Sequence, residues 1–294
     1  MDFEAQGGNE FEDAGLVQGG GTAAPLAAAR AGGTSTVLGS HSHTPDNARS
    51  ASFLGVRFDH IDHSRAVNQV SALAASDRFT FVVTPNVDHI VRLHRQRDNA
   101  RLWSSYEAAT LSLCDSRVLH ALARASGLTL ELVTGSDLTA SLLAARPSIA
   151  AGAVIGGDET LMQRLRARYP ETTWFHHAPP ADVLHNSEAQ REIVDFVERS
   201  PARLVFFAIG SPQSVLVCAL IAERRKAHGV GLCVGASLEF LAGTKVRAPR
   251  WLQRLGLEWL FRLLSEPTRL WRRYLVEGPV IFLLWWRWRV SSSR

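Results

Sequence analysis

Six short segments of the chain end in residues whose types suit anions. FVVTPN ends on Thr84, Pro85 and Asn86, and LSLCDS on Asp115 and Ser116. LVTGSD ends on Gly135, Ser136 and Asp137, and VIGGDE on Gly156, Gly157 and Asp158. FFAIGSPQS ends on Gly210, Ser211, Pro212 and Gln213, and LCVGASLEF carries Gly235, Ala236, Ser237 and Glu239. Glycine and serine where a helix begins let backbone N–H groups approach an anion closely. For any single one of these loops a helix cap is the better explanation. Several of them on one rim point to a phosphate-bearing ligand. No P-loop is present, and no G-x-G-x-x-G follows the first strand.

The elements that must position these residues are legible from hydrophobic spacing. Short apolar or β-branched runs occur at 79–83, 110–114, 130–135, 152–157, 203–210 and 230–235. Between them lie stretches such as VDHIVRLHRQRD, SRVLHALARAS and SEAQREIVDFVERS, with apolar residues three to four apart. Strands alternating with helices of this length imply βαβ units, hence an α/β, Rossmann-like domain with a mostly parallel sheet over residues 53–244. Several runs are apolar throughout, as a sheet covered on both faces requires. In such sheets ligands bind beyond the carboxyl ends of the strands.

Residues 1–50 are rich in Gly, Ala, Ser and Thr without periodicity and are expected to be disordered. His41 and His43 within them read as solvated chain, and DHIDH (59–63) as the capped start of a helix, so no metal site is expected. Cys114, Cys218 and Cys233 sit singly in apolar runs, which suggests buried thiols in a reducing compartment. The acidic beginning MDFEAQGGNEFEDAG has no apolar core of a signal peptide, and PVIFLLWW (279–286) is too short to span a bilayer.

Residues 245–294 form a separate appendage by composition. They carry eleven Lys/Arg against three Glu, a net of +8 where the whole chain is +4, and six of the eight tryptophans. The stretch before Pro267 reads as an amphipathic helix with Leu252, Leu255, Trp259 and Leu263 at helical spacing and Arg247, Arg250 and Arg254 beside them. After Pro267, Arg269, Arg272 and Arg273 share a helical face next to Trp271. Tryptophan favours the membrane interface and arginine the anionic headgroups above it, so such a segment can lie in that plane without spanning. Docking of the same helices on the α/β core would hide part of the apolar face, and the two arrangements are compatible. No nucleic-acid-binding motif precedes the tail, and nucleic acid is not expected as a partner.

The string GASLEFLAGTKVRAPRWLQRLGLEWLFRLLSEPTRLWRRYL resembles the closing signature of the WecG/TagA/CpsF glycosyltransferases, with FFAIGSPQS, LVTGSDL, LSLCDS and VVTPNVDHI before it in the family's order. The resemblance covers residues 53–278. It implies an inverting, metal-independent glycosyltransferase without a cofactor, peripheral on the cytoplasmic membrane face. Such an enzyme moves a sugar from a UDP-sugar to a polyprenyl-diphosphate-linked saccharide in bacterial surface-polysaccharide assembly. It also leaves room for a homo-oligomer.

By the same resemblance Asp115 is the general base, and Thr84, Asn86 and Glu239 are donor or acceptor contacts; the strand-end residues Gly135, Asp137, Gly210, Gln213 and Ser237 are further candidates for such contacts. Arg247, Arg250, Arg269, Arg272 and Arg273, with Trp251, Trp259 and Trp271, would serve the lipid diphosphate and the membrane. The chain departs from the family at Ser116, where glycine is usual, and at Leu238 and Glu239 within the Phe-Asp-Phe-Leu-Ala-Gly motif. Gln213-Ser214-Val215 replaces Lys-Gln-Glu, and an arginine usual near Leu132 and Val133 is absent. These departures leave open a catalytically lapsed, sugar-nucleotide-binding or scaffolding subunit.

Overall fold

A computed structural model describes residues 50–145, 150–249, 251–252 and 255–292. His41, His43, Arg250 and Arg254 lie outside the described residues, as does all of the stretch expected to be disordered except Ser50.

The described chain opens with an antiparallel hairpin, β1 (Ser50–Phe53) and β2 (Val56–Asp59). Leu54 and Gly55 form its two-residue turn, both at positive φ, the geometry that matches strand twist. A Cβ on Gly55 would meet the Trp103 ring at 3.1 Å, so the turn is also pressed against its neighbour. There follow α1 (His63–Ala74), β3 (Thr80–Val83), α2 (Val87–Arg95), α3 (Ala100–Glu107), β4 (Leu111–Ser112), α4 (Arg117–Ala125) and α5 (Gly135–Ala144). The second half comprises β5 (Ala151–Ile155), α6 (Glu159–Arg168), β6 (Thr173–His177), α7 (Ser187–Arg199), β7 (Leu204–Phe207), α8 (Gln213–Arg224), β8 (Val230–Cys233) and α9 (Ser237–Leu241).

Six strands make one parallel sheet in the order β4-β3-β8-β7-β5-β6, flanked by helices, which is the α/β, Rossmann-like fold expected. The central strands β7 and β8 are buried at every position, as their unbroken apolar runs require. Three sequence expectations are corrected. LELVTG (130–135) is not a ladder strand; it makes a single bridge, Cys114 to Leu132, because its neighbour β4 is only two residues long. The edge strand β6 was not foreseen, because TWFHH carries polar residues where one side of the sheet stays half-exposed. The β1–β2 hairpin was also missed. Its Asp59 does not cap a helix but accepts the Ser112 N–H at 2.8 Å, while Asp62 caps α1 as read.

The tail continues as α10 (Glu258–Ser265), α11 (Pro267–Trp271), a π-helical stretch (Arg272–Glu277) and α12 (Val280–Ser292). The break at Gly256, at φ 73°, separates α10 from Trp251 and Leu252, so the segment before Pro267 is not one continuous helix. Helix α12 carries large apolar residues on more than one face, with Arg287 and Arg289 in its second half. One face is visibly covered: Ile281 is buried, the Trp288 ring meets Phe53 edge-on at 5.1 Å, and Trp285 Nε1 donates to Ser126 Oγ at 2.8 Å. Arg289 also donates to the carbonyl of Ala125. The other face leaves Phe282, Leu283, Trp286 and Val290 exposed.

Candidate active site

At the carboxyl ends of β3 and β4 the capping chemistry and the site are the same residues. Asn86 Oδ1 accepts the Asp88 and His89 N–H groups at the start of α2. Ser116 Oγ caps α4 through the Leu119 N–H, and Thr134 Oγ1 accepts the Asp137 N–H at the start of α5. All three caps line one cleft of about 460 Å³, whose far wall is the tail.

Asp115 lines the cleft from the core side, opposite the tail, and is half-buried. Its backbone N–H donates to the Pro85 carbonyl at 3.1 Å, which ties the β4 loop to the β3 loop. The Gly135 N–H at the start of α5 lies close enough to its carboxylate to favour the charged form. Burial pushes its pKa up to about 7; the Gly135 N–H and the Arg262 guanidinium oppose the rise, and Glu258 and Asp137 add to it. A carboxylate titrating near neutrality is suited to taking and returning a proton.

Asp137 lies across the start of α5. Burial alone would raise its pKa, but Arg247 Nη1 donates to it at 2.6 Å and Thr134 Oγ1 at 2.7 Å, and together they hold the carboxyl below its ordinary value. The Arg247 pair bridges core and tail. A second bridge joins Arg273 to Asp88 at 3.3 Å, and a third joins Arg95 to Glu277 at 3.0 Å. Asp88 is also held by Arg92 at 3.0 Å.

Thr84, Gly135 and Ser237 come together behind the cleft rather than in it. Thr84 Oγ1 donates to the Cys233 carbonyl and Ser237 Oγ to the Val234 carbonyl, and both residues are buried. A Cβ on Gly135 would stand 3.2 Å from Thr84 Oγ1 and 3.3 Å from Ser237 Oγ, so a larger residue would have to displace the α5 N-terminus or these side chains by a few tenths of an ångström. Gly210, Gln213 and Glu239 do not line the cleft. Gln213 Nε2 donates to the Ile209 carbonyl at 2.5 Å, and Glu239 pairs with Lys245 at 2.7 Å.

Of the tail residues singled out in the sequence, Arg247, Trp259 and Arg273 line the cleft. Arg269 pairs with Glu266, Arg272 is largely exposed beside Glu277, and Trp251 and Trp271 are exposed. Two further residues were missed: Glu258 and Arg262, paired at 2.9 Å across one turn of α10, both on the cleft wall. Their four-residue spacing in LEWLFRLL was the available signal. Arg262 also lies over the Phe240 ring at 4.8 Å, which fixes α10 against α9.

Among the described residues no cluster of three or more His, Cys, Asp or Glu side chains could hold a metal ion, and no helix is long and apolar enough to cross a membrane. A parallel α/β sheet, a near-neutral aspartate at a strand-end loop and an arginine-bearing tail closing the cleft form one arrangement. The glycosyl transferase WecG/TagA/CpsF family model matches residues 51–294 of the chain, which belongs to that family of glycosyltransferases of cell-surface polysaccharide synthesis.

Proposed function

We propose that the protein is an inverting transferase that moves a sugar from a UDP-sugar to a polyprenyl-diphosphate-linked saccharide. It would act while attached to the cytoplasmic face of the bacterial plasma membrane, in the assembly of an exopolysaccharide. The single observation that carries the reading is Asp115: a carboxylate of pKa about 7 on the wall of an arginine-lined cleft. In this reading Asp115 takes the proton of the acceptor hydroxyl as that oxygen attacks the anomeric carbon. The bond from that carbon to the diphosphate oxygen breaks on the opposite face, and UDP leaves with the electron pair. Arg247 and Arg262 supply positive charge to the departing diphosphate, so the reaction needs no divalent cation. Asn86, Thr134 and Asp137 orient substrate hydroxyls and the amides at the helix starts.

Membrane attachment is supported by the exposed Trp251, Trp271, Trp286, Phe282 and Leu283 together with Arg269 and Arg272. Each basic side chain near an anionic surface contributes on the order of 1 kcal/mol.

The test is UDP release from a panel of UDP-sugars with polyprenyl-diphosphate-linked acceptors in anionic liposomes, with and without EDTA. One donor is expected to turn over, unaffected by the chelator. Asp115→Asn should lower kcat by about 10²- to 10⁴-fold with the fold intact. Near-normal turnover of that variant removes Asp115 from the mechanism. Donor binding without transfer to any acceptor would instead identify a lapsed enzyme.

A further inference from the structure

The cleft has two chemistries on one continuous wall. Where α10 and residue 247 face the start of α5, its lining is polar: Asp115, Thr134, Asp137, Arg247, Glu258 and Arg262. Where the π-helical stretch and α12 face α2, it turns apolar: Val87 and Val91 on one side, Leu275, Pro279, Ile281 and Phe282 on the other. The charged groups on this half are spoken for. Asp88 is held by Arg92 and Arg273, and Glu277 by Arg95 and Arg272. Leu275 and Phe282 are at once cleft wall and outer surface, each more than half exposed. Leu283 and Trp286 continue that exposed surface along α12 without lining the cleft.

A ligand that occupies the whole cleft must therefore be an amphiphile, with a polar, hydrogen-bonding head joined to a hydrocarbon chain. The hydrocarbon lies between α2 and α12 and leaves past Phe282. We propose that the half of the cleft between α2 and the π-helix–α12 segment is an isoprenoid subsite, which holds the first units of a lipid-linked diphosphate out of the bilayer. This rests on the transferase reading for the identity of the head group but makes a separate demand. The chain is bound by the protein itself and is not only an anchor in the surrounding membrane. Two or three isoprene units bury several CH₂ and CH₃ groups, at about 0.8 kcal/mol each when fully covered.

Binding without vesicles, detergent or donor isolates that demand. Isothermal titration of the full chain with inorganic diphosphate, geranyl diphosphate and farnesyl diphosphate should show affinity rising at least about tenfold from the first to the last. Leu275→Ser and Phe282→Ser, which add no charge, should each erase most of this rise and leave the affinity for inorganic diphosphate within about twofold. Leu283→Ser and Trp286→Ser, on the same exposed surface but outside the cleft, should preserve it. Because all four positions are largely exposed, the variants are expected to fold. Equal affinity for the three ligands, or equal loss in all four variants, overturns the subsite. If those outcomes accompany normal transfer in liposomes, the transferase reading stands and the chain is held by the membrane alone. A chain-dependent affinity in a protein that transfers no sugar would keep the subsite and remove the transferase.

Discussion

At the scale of single residues, the behaviour of Asp115 is set by opposing neighbours, and the signs can be worked out. Its folded pKa of about 7 lies above the ordinary aspartate value. A base must be unprotonated, so kcat/KM should rise with pH along a limb centred near 7. Glu258 and Asp137 push the carboxyl up, while Arg262 and the Gly135 N–H pull it down. Glu258→Gln removes one negative charge and frees Arg262, both of which favour the carboxylate. The limb should move to lower pH, by about one pH unit or less. A limb that stays in place would show that Asp115 does not govern it. The same shift has a stability consequence. A carboxyl whose pKa is raised on folding binds its proton more tightly in the native state, so its penalty grows as pH rises from the unfolded value near 4 through 7. Asp115→Asn removes that penalty. The variant should gain up to about 4 kcal/mol relative to wild type at pH 8 and almost nothing at pH 4, read by denaturant unfolding.

At the scale of elements, the start of α5 does two things through one glycine. Gly135 lets the helix sit against Thr84 and Ser237, and its N–H favours the charged form of Asp115. Gly135→Ala would press a methyl into both hydroxyl-bearing side chains and shift the helix by a few tenths of an ångström. The expected result is a modest loss of stability, about 1 to 3 kcal/mol, with a larger fall in kcat than in donor affinity. A fall in donor affinity alone would place Gly135 in the binding site and not behind it. Helix α12 makes a second element-scale case. Trp288 and Trp285 pack on Phe53 and Ser126, and Trp288 is only partly buried, so Trp288→Ala should cost about 1 to 3 kcal/mol, read by thermal or denaturant unfolding. Loss of less than about 1 kcal/mol would mean that α12 leaves the core readily. The sheet itself was well anticipated where strands are central and uniformly apolar. It was misread at its edges, where β6 is polar and β4 too short to support LELVTG as a full strand.

At the scale of the whole molecule, the tail is bound to the core by ion pairs at the cleft and by aromatic packing at α12. Salt screens exposed charges over about 8 Å at physiological strength and weakens the partly exposed pairs, but leaves the aromatic contacts. Binding to anionic vesicles should fall steeply between 50 and about 500 mM salt, whereas binding to zwitterionic vesicles should be weak at every salt concentration. Salt-independent vesicle binding would assign attachment to the apolar surface alone. A chain ending at Ala242 lacks Arg247, Glu258, Arg262 and α12 together, so it should lose transfer as well as attachment. Retained turnover would make the tail only an anchor.

What the sequence by itself determined is whatever depends on local pattern: the alternation of strands and helices, polar helix starts such as Asn86 and Ser116, the charge and tryptophan of the tail, and the family signature. Hydrophobic period and capping act within a few residues and leave their mark there. Only the tertiary structure decided which of these meet. It carried Thr84 and Ser237 behind the cleft and left Gln213 bonded to its own turn. It brought Glu258 and Arg262 up to Asp115, more than a hundred residues away, and gave one wall of the cleft two chemistries. Such pairings are set by how helices pack on a sheet and where a tail folds back, and so by the sum of contacts across the molecule.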